Sequence, residues 1–108
     1  MGLPIHITPA KGRYRIAVGP LVIGETDRAV MLDEAGHSPV LYVPRADMRL
    51  DLLTPTPRQS TCPWKGEASY YSAGGQENVI WSYETPIDAV AEIAGHMAFY
   101  PAVTVTQI

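Results

Sequence analysis

The sequence predicts a mainly β fold with one short helix late in the chain, on three observations. Ten prolines and nine glycines are spread along all 108 residues, which cuts the chain into short segments unsuited to a helical bundle. Several of those segments alternate polar and apolar residues with the period of two that a half-exposed strand requires. A helical start and stop come together at Pro86–Ala94. At this length, with 46% hydrophobic residues, a single domain can bury a core without covalent staples.

Taken in order, Ile5-His6-Ile7-Thr8 lies between Pro4 and Pro9 and reads as a short edge strand. Arg13-Tyr14-Arg15-Ile16-Ala17-Val18 alternates cationic with apolar side chains, and Gly19-Pro20 turns it into Leu21-Val22-Ile23, completing a hairpin. After the polar turn Gly24–Arg28, the run Ala29–Glu34 fits helix or strand by periodicity; its length and the Gly36 stop favour a strand. Val40-Leu41-Tyr42-Val43, closed by Pro44, is the most buried-looking strand. From Arg45 to Leu53 the apolar spacing turns helix-like, predicting one or two helical turns or a tight loop. Thr54-Pro55-Thr56-Pro57 stops them, because each proline lacks a donor and restricts the residue before it, and an extended connection follows.

Gly74-Gly75-Gln76 separates Ser69-Tyr70-Tyr71-Ser72 from Asn78-Val79-Ile80-Trp81-Ser82-Tyr83, a second hairpin. Thr85-Pro86-Ile87-Asp88 then supplies a capping hydroxyl, a proline at the first helical position and an acid near the positive end of the dipole. Gly95 stops this predicted helix. His96–Tyr100 and Val103–Thr106 are the last β segments.

A net charge of −3 and a pI near 5.5 disfavour a nucleic-acid partner. Residues 1–65 hold all eight Lys and Arg against six carboxylates, and residues 66–108 hold five carboxylates alone. The two halves can simply neutralise one another across a small fold; the sharper reading is an anion site built from Arg45, Arg49 and Lys65. One cysteine cannot form an internal disulfide, and no signal peptide or spanning apolar run is present, so a cytoplasmic location is expected. The start Met1-Gly2-Leu3-Pro4-Ile5-His6 lacks the Ser or Thr that an acylation signal wants, and no membrane partner is expected.

The densest chemistry lies in Ser60-Thr61-Cys62-Pro63-Trp64-Lys65-Gly66-Glu67-Ala68-Ser69-Tyr70-Tyr71-Ser72, which holds the only cysteine, one of two tryptophans, the last cation and two adjacent tyrosines. Together with Tyr42-Val43-Pro44-Arg45-Ala46-Asp47-Met48, Ile80-Trp81-Ser82-Tyr83 and Ala98-Phe99-Tyr100-Pro101, this stretch resembles the bacterial and fungal domain-of-unknown-function 427 family, sometimes labelled nucleotidyltransferase-like, over nearly the whole chain. The resemblance implies a small β-tent, also seen in methionine sulfoxide reductase B and the thalidomide-binding domain of cereblon: two antiparallel sheets meeting at an angle with a groove between them. Many β-tent proteins hold zinc through two Cys-x-x-Cys pairs; with one cysteine this chain cannot, and neither metal nor cofactor is expected. The reductase motif and a nucleotidyltransferase signature are both missing, so neither activity follows from the fold.

Within the stretch, Cys62 and Glu67 are the candidate catalytic residues. Lys65 could stabilise a Cys62 thiolate, and burial could bring Glu67 toward neutrality as an acid or base. Each has a structural alternative: Cys62 as a small buried hydrophobe, and Lys65 with Glu67 as a surface ion pair, since in an extended segment both project to one side of Gly66. Arg45 either pairs locally with Asp47 or forks onto a ligand anion. Trp64, Tyr70, Tyr71, Trp81 and Tyr83 are core or groove wall, with Tyr71 assigned to the inner face. Arg45, Trp64, Lys65, Glu67, Tyr71 and Trp81 are thus the expected ligand-binding residues. The function they suggest is binding of a small polar or anionic molecule in an aromatic groove; the alternatives are an enzyme using Glu67 or Cys62, and an interaction module in which the motif is structural. Assembly into a homo-oligomer is compatible with the sequence.

Overall fold

A computed structural model describes residues 4–108; the Met1-Gly2-Leu3 start weighed above for acylation lies outside them. Among the described residues ten strands form two antiparallel sheets. The larger sheet has the order β1-β4-β5-β9-β8-β7-β6, from β1 (Ile5–Pro9), β4 (Val30–Glu34), β5 (Val40–Pro44), β6 (Leu53–Cys62), β7 (Gly66–Ala73), β8 (Gln76–Ser82) and β9 (His96–Phe99). The smaller is β10-β2-β3, from β2 (Tyr14–Val18), β3 (Leu21–Thr26) and β10 (Thr104–Gln107).

Each predicted strand is present, and the connections Gly19-Pro20 and Gly74-Gly75 turn the two expected hairpins. The segment Arg45–Leu52 forms two 3₁₀ turns, Arg45–Asp47 and Leu50–Leu52. One expectation is sharpened and one corrected. The helical turns end where Thr54-Pro55-Thr56-Pro57 was expected to stop them, and the extended connection that follows is a regular element, the ten-residue β6, which tolerates its prolines as a sheet edge and carries a bulge between Thr56 and Gln59. The late helix is 3₁₀ rather than α, spans Asp88–Ile93 and is kinked at Val90 (φ −126°, ψ 32°). Thr85 gives it no side-chain cap; Ile87 stands at the cap position in extended conformation. Its tertiary role is to bury Val90 and Ile93, and that burial outweighs regular helix geometry.

The larger sheet is apolar on both faces. On one, Val43, Tyr71, Ile80 and Met97 pack against Ile16, Val18 and Ile23 of the smaller sheet. On the other, Leu32, Tyr42, Ala68, Tyr70, Tyr83 and Ala98 cluster with Val90 and Ile93. The register Tyr70↔Trp81↔Ala98 beside Tyr71↔Ile80↔Phe99 places consecutive tyrosines in different cores.

This sheet is also strongly curled. Four strand spacings separate β4 from β7, about 19 Å in a flat sheet. Yet Lys65, on the turn into β7, reaches Glu34 at the end of β4 at 2.8 Å. The sheet edges therefore fold toward one another, and the concave side encloses a cavity.

Candidate functional site

The cavity has a volume of about 620 Å³, within the range of small-molecule sites. Its wall comes entirely from the larger sheet and its connections. The groove expected between the two sheets is instead filled by core side chains, and the open space lies on the opposite face.

Aromatic side chains line it. Trp81 meets Tyr42 edge-on at 6.4 Å between ring centroids and donates its indole N–H to the Tyr42 hydroxyl at 3.3 Å. Tyr100 lies 4.7 Å from Trp81 and stacks on Tyr70 at 6.4 Å. The Tyr70 hydroxyl is 2.7 Å from Ser60 Oγ, and the Arg58 guanidinium lies over its ring at 4.9 Å. Tyr83 and Trp64 complete the wall.

These phenols differ electrically. Burial pushes Tyr42 up to about 12, with a small opposing effect from the Trp81 N–H. Burial, reinforced by the neighbouring Tyr42, Cys62, Tyr70 and Tyr100, raises Tyr83 as well. Burial acts upward on Tyr70 too, but hydrogen bonds with Ser60 and Tyr100 and the nearby Arg58 outweigh it and hold Tyr70 below the ordinary tyrosine value. Its hydrogen bond to Tyr70 raises Tyr100 in turn. Among the described residues the Tyr83 hydroxyl makes no hydrogen bond, although the residue is only 8% exposed.

One ion pair stands in this wall. Lys65 Nζ donates to Glu34 Oε1 at 2.8 Å, with the side chains 12% and 10% exposed, and to Cys62 Sγ at 3.8 Å. The turn that presents Lys65 is closed by Lys65 N–H donating to Cys62 C=O at 3.1 Å. Gly66 follows at φ +124°, where a Cβ would come 3.3 Å from Pro86 Cα. The backbone of Ile87 donates to Lys65 C=O at 2.9 Å, so the motif is clamped against the chain that leads into the 3₁₀ segment.

Of the expected ligand-binding residues, Trp64, Lys65 and Trp81 line the cavity, as does Cys62. Glu67 does not: it is exposed on β7 opposite Thr61. The Lys65–Glu67 pair predicted from their spacing is absent, because the left-handed Gly66 breaks the extended geometry that would have aligned them. Arg45 and Tyr71 belong to a different cluster. There Tyr71 OH donates to Glu84 Oε2 at 2.7 Å, and Arg45 Nη1 donates to Tyr71 OH at 3.0 Å and to Glu84 Oε2 at 3.3 Å. Burial and the Glu84 carboxylate raise the Tyr71 phenol. Asp47, the expected local partner of Arg45, takes Arg28 at 2.7 Å and the Thr26 hydroxyl at 2.7 Å. The inner-face tyrosine of the cavity is Tyr70, not Tyr71.

Sequence reasoning missed Glu34, Tyr42 and Tyr100. A signal for Glu34 was present: Val30, Leu32 and Glu34 share one face of β4 by period-two alternation, which puts a carboxylate on the buried side. Its partner Lys65, 31 residues away, is supplied by the curl of the sheet.

Among the described residues no group of three or more His, Cys, Asp or Glu is placed to hold a metal ion, and no helix is long and apolar enough to cross a membrane. A mainly β domain of two antiparallel sheets, carrying an aromatic cavity with one ion pair, is the class of protein that fold and site define. The family model described as a domain of unknown function (DUF427) matches residues 6–108, and the chain belongs to that family. No curated protein matches it.

Proposed function

We propose that this protein binds a small polar or anionic molecule in the aromatic cavity, with Trp81, Tyr42, Tyr70 and Tyr100 as its wall and Lys65 as its polar anchor. The observation that carries the reading is the coincidence, in one 620 Å³ cavity, of an aromatic wall with a nearly buried charge. A nearly buried lysine costs desolvation energy that an apolar side chain would avoid, and flat aromatic walls offer face and edge contacts to a ring. Glu67 and Arg45, exposed elsewhere, are left outside the ligand site.

A metabolite library screened by thermal shift tests this reading. A compound that stabilises the wild type should stabilise Glu67→Ala equally and lose its effect on Lys65→Ala and Trp81→Ala. Equal responses from all four proteins, or none from any, would sink it.

The Lys65–Cys62 contact at 3.8 Å favours one second reading, in which Cys62 acts as a nucleophile activated by the ammonium. The rate of thiol labelling against pH decides it. Reaction that persists well below the free-thiol pKa near 8.5 supports the nucleophile, and an inert thiol removes it.

A further inference from the structure

The ion pair itself narrows the ligand, on the reading that the cavity is a ligand site. Lys65 and Glu34 both line it, and their charges lie 2.8 Å apart. An anion near Lys65 would therefore also meet the Glu34 carboxylate, and a cation near Glu34 would meet Lys65. The remaining titratable groups of the lining are His37, Cys62 and tyrosines; Arg58 lies over the Tyr70 ring at 4.9 Å but is not part of the lining, so the Lys65–Glu34 pair sets the charge that a ligand at Lys65 meets.

The hydrogen-bonding inventory is equally specific. An ammonium has three protons; Glu34 takes one and Cys62 sulfur another, which leaves one donor. Glu34 Oε2 accepts no hydrogen bond among the described residues, which leaves one acceptor beside it. The Tyr83 hydroxyl, also without a partner among the described residues, adds a second donor on the same wall. Leaving such groups unsatisfied on burial costs more than an average hydrogen bond contributes, so the ligand that covers them must present the complementary edge.

We infer that the cavity of this protein selects an uncharged, flat ring bearing a carbonyl next to an N–H, of the aryl carboxamide class. Its carbonyl accepts from Lys65, its N–H donates to Glu34, and its ring lies against Trp81 and Tyr42. Lys65 and Glu34 act together as one neutral donor–acceptor pair rather than as an anion site.

Three molecules of one shape and different charge test this: benzamide, benzoate and benzylammonium, titrated into the isotope-labelled protein. The reporter is the indole N–H signal of Trp81, told from that of Trp64 by Trp64→Phe. Benzamide should move the Trp81 signal saturably and bind at least about tenfold more tightly than either charged analogue. Glu34→Gln, which keeps the shape but frees the Lys65 charge, should reverse the order and favour benzoate. The wild-type series stands without that variant should it fail to fold. Benzoate binding as tightly as benzamide to the wild type would overturn the neutral-ligand inference and leave the cavity as a ligand site. Silence from all three also overturns it, and the library screen then judges the cavity separately.

Discussion

Tyr70 and Tyr71 are consecutive and both buried, yet they belong to two sides of the molecule that work differently. Tyr71 enters the core between the sheets, and only its hydroxyl reaches the surface to meet Arg45 and Glu84. Tyr70 faces the concave side, where the wall is aromatic but the space is open. The closed face is filled by aliphatic side chains such as Val43, Ile80 and Met97, each fully buried. The concave face keeps partly buried groups, Trp81, Trp64, Lys65 and Cys62 among them. Close packing fixes the sheet from one side, and that leaves the other side able to carry a polar pair and a cavity.

The same contrast separates two ion pairs. Lys65–Glu34 has side chains 12% and 10% exposed, whereas Arg45–Glu84 is solvated. Breaking the first should have the largest effect. Glu34→Gln leaves a nearly buried lysine without its counter-charge, and a loss of about 3 kcal/mol or more is expected in denaturant unfolding. A loss below about 1 kcal/mol would mean that the concave side is far wetter than its burial indicates.

On the closed face Ile80→Ala should cost roughly 2 to 5 kcal/mol through lost burial and a residual cavity. Trp81→Ala, its neighbour on the open face, should cost less than its larger size suggests, because Trp81 is only partly buried. Equal costs per atom removed would erase the distinction between the two faces.

Alkaline titration separates the phenols. Tyr42 is raised to about 12 in the folded chain, so above the ordinary tyrosine value near 10 the unfolded state gives up its proton first. Stability from this group is therefore complete below about pH 10 and declines between about 10 and 12, by roughly 2 to 3 kcal/mol in all. Tyr42→Phe should flatten that decline. Absorbance of the phenolate should show Tyr70 ionising before Tyr42, and Tyr70→Phe should remove the earliest component. An earliest component that survives Tyr70→Phe would contradict the Ser60 and Arg58 contacts.

The smallest effect belongs to the solvated pair. Glu84→Gln should change unfolding stability by no more than about 1 kcal/mol, since exposed pairs gain little over solvent. A larger loss would show that the Tyr71 hydroxyl depends on Glu84 to remain at the edge of the core.

What was legible in the sequence follows from locality. The hairpin at Gly19-Pro20 and the one at Gly74-Gly75 were readable because turn residues announce themselves beside alternating strands. The concentration of reactive side-chain types from Cys62 to Lys65 was readable from local composition, and the structure places all four of these residues on the cavity wall. Glu67 was misplaced for a local reason: the spacing of Lys65 and Glu67 assumed an extended backbone, and Gly66 at φ +124° does not provide one. The late helix was misjudged because capping residues specify where a helical segment starts, while the burial of Val90 and Ile93 decides what form it takes.

By itself, then, the sequence determined a mainly β chain, its turns, the edge strand at residues 5–8 and the stretch in which chemistry concentrates, all of which depend on neighbours a few residues apart. Tertiary structure alone decided that Lys65 meets Glu34, that Arg45 meets Tyr71 and Glu84 rather than Asp47, and that Tyr70 rather than Tyr71 faces the cavity. Those outcomes rest on strand order and on the curl of the larger sheet. Both bring together residues 26 to 39 positions apart, a distance over which hydrophobic periodicity carries no information about which partner arrives.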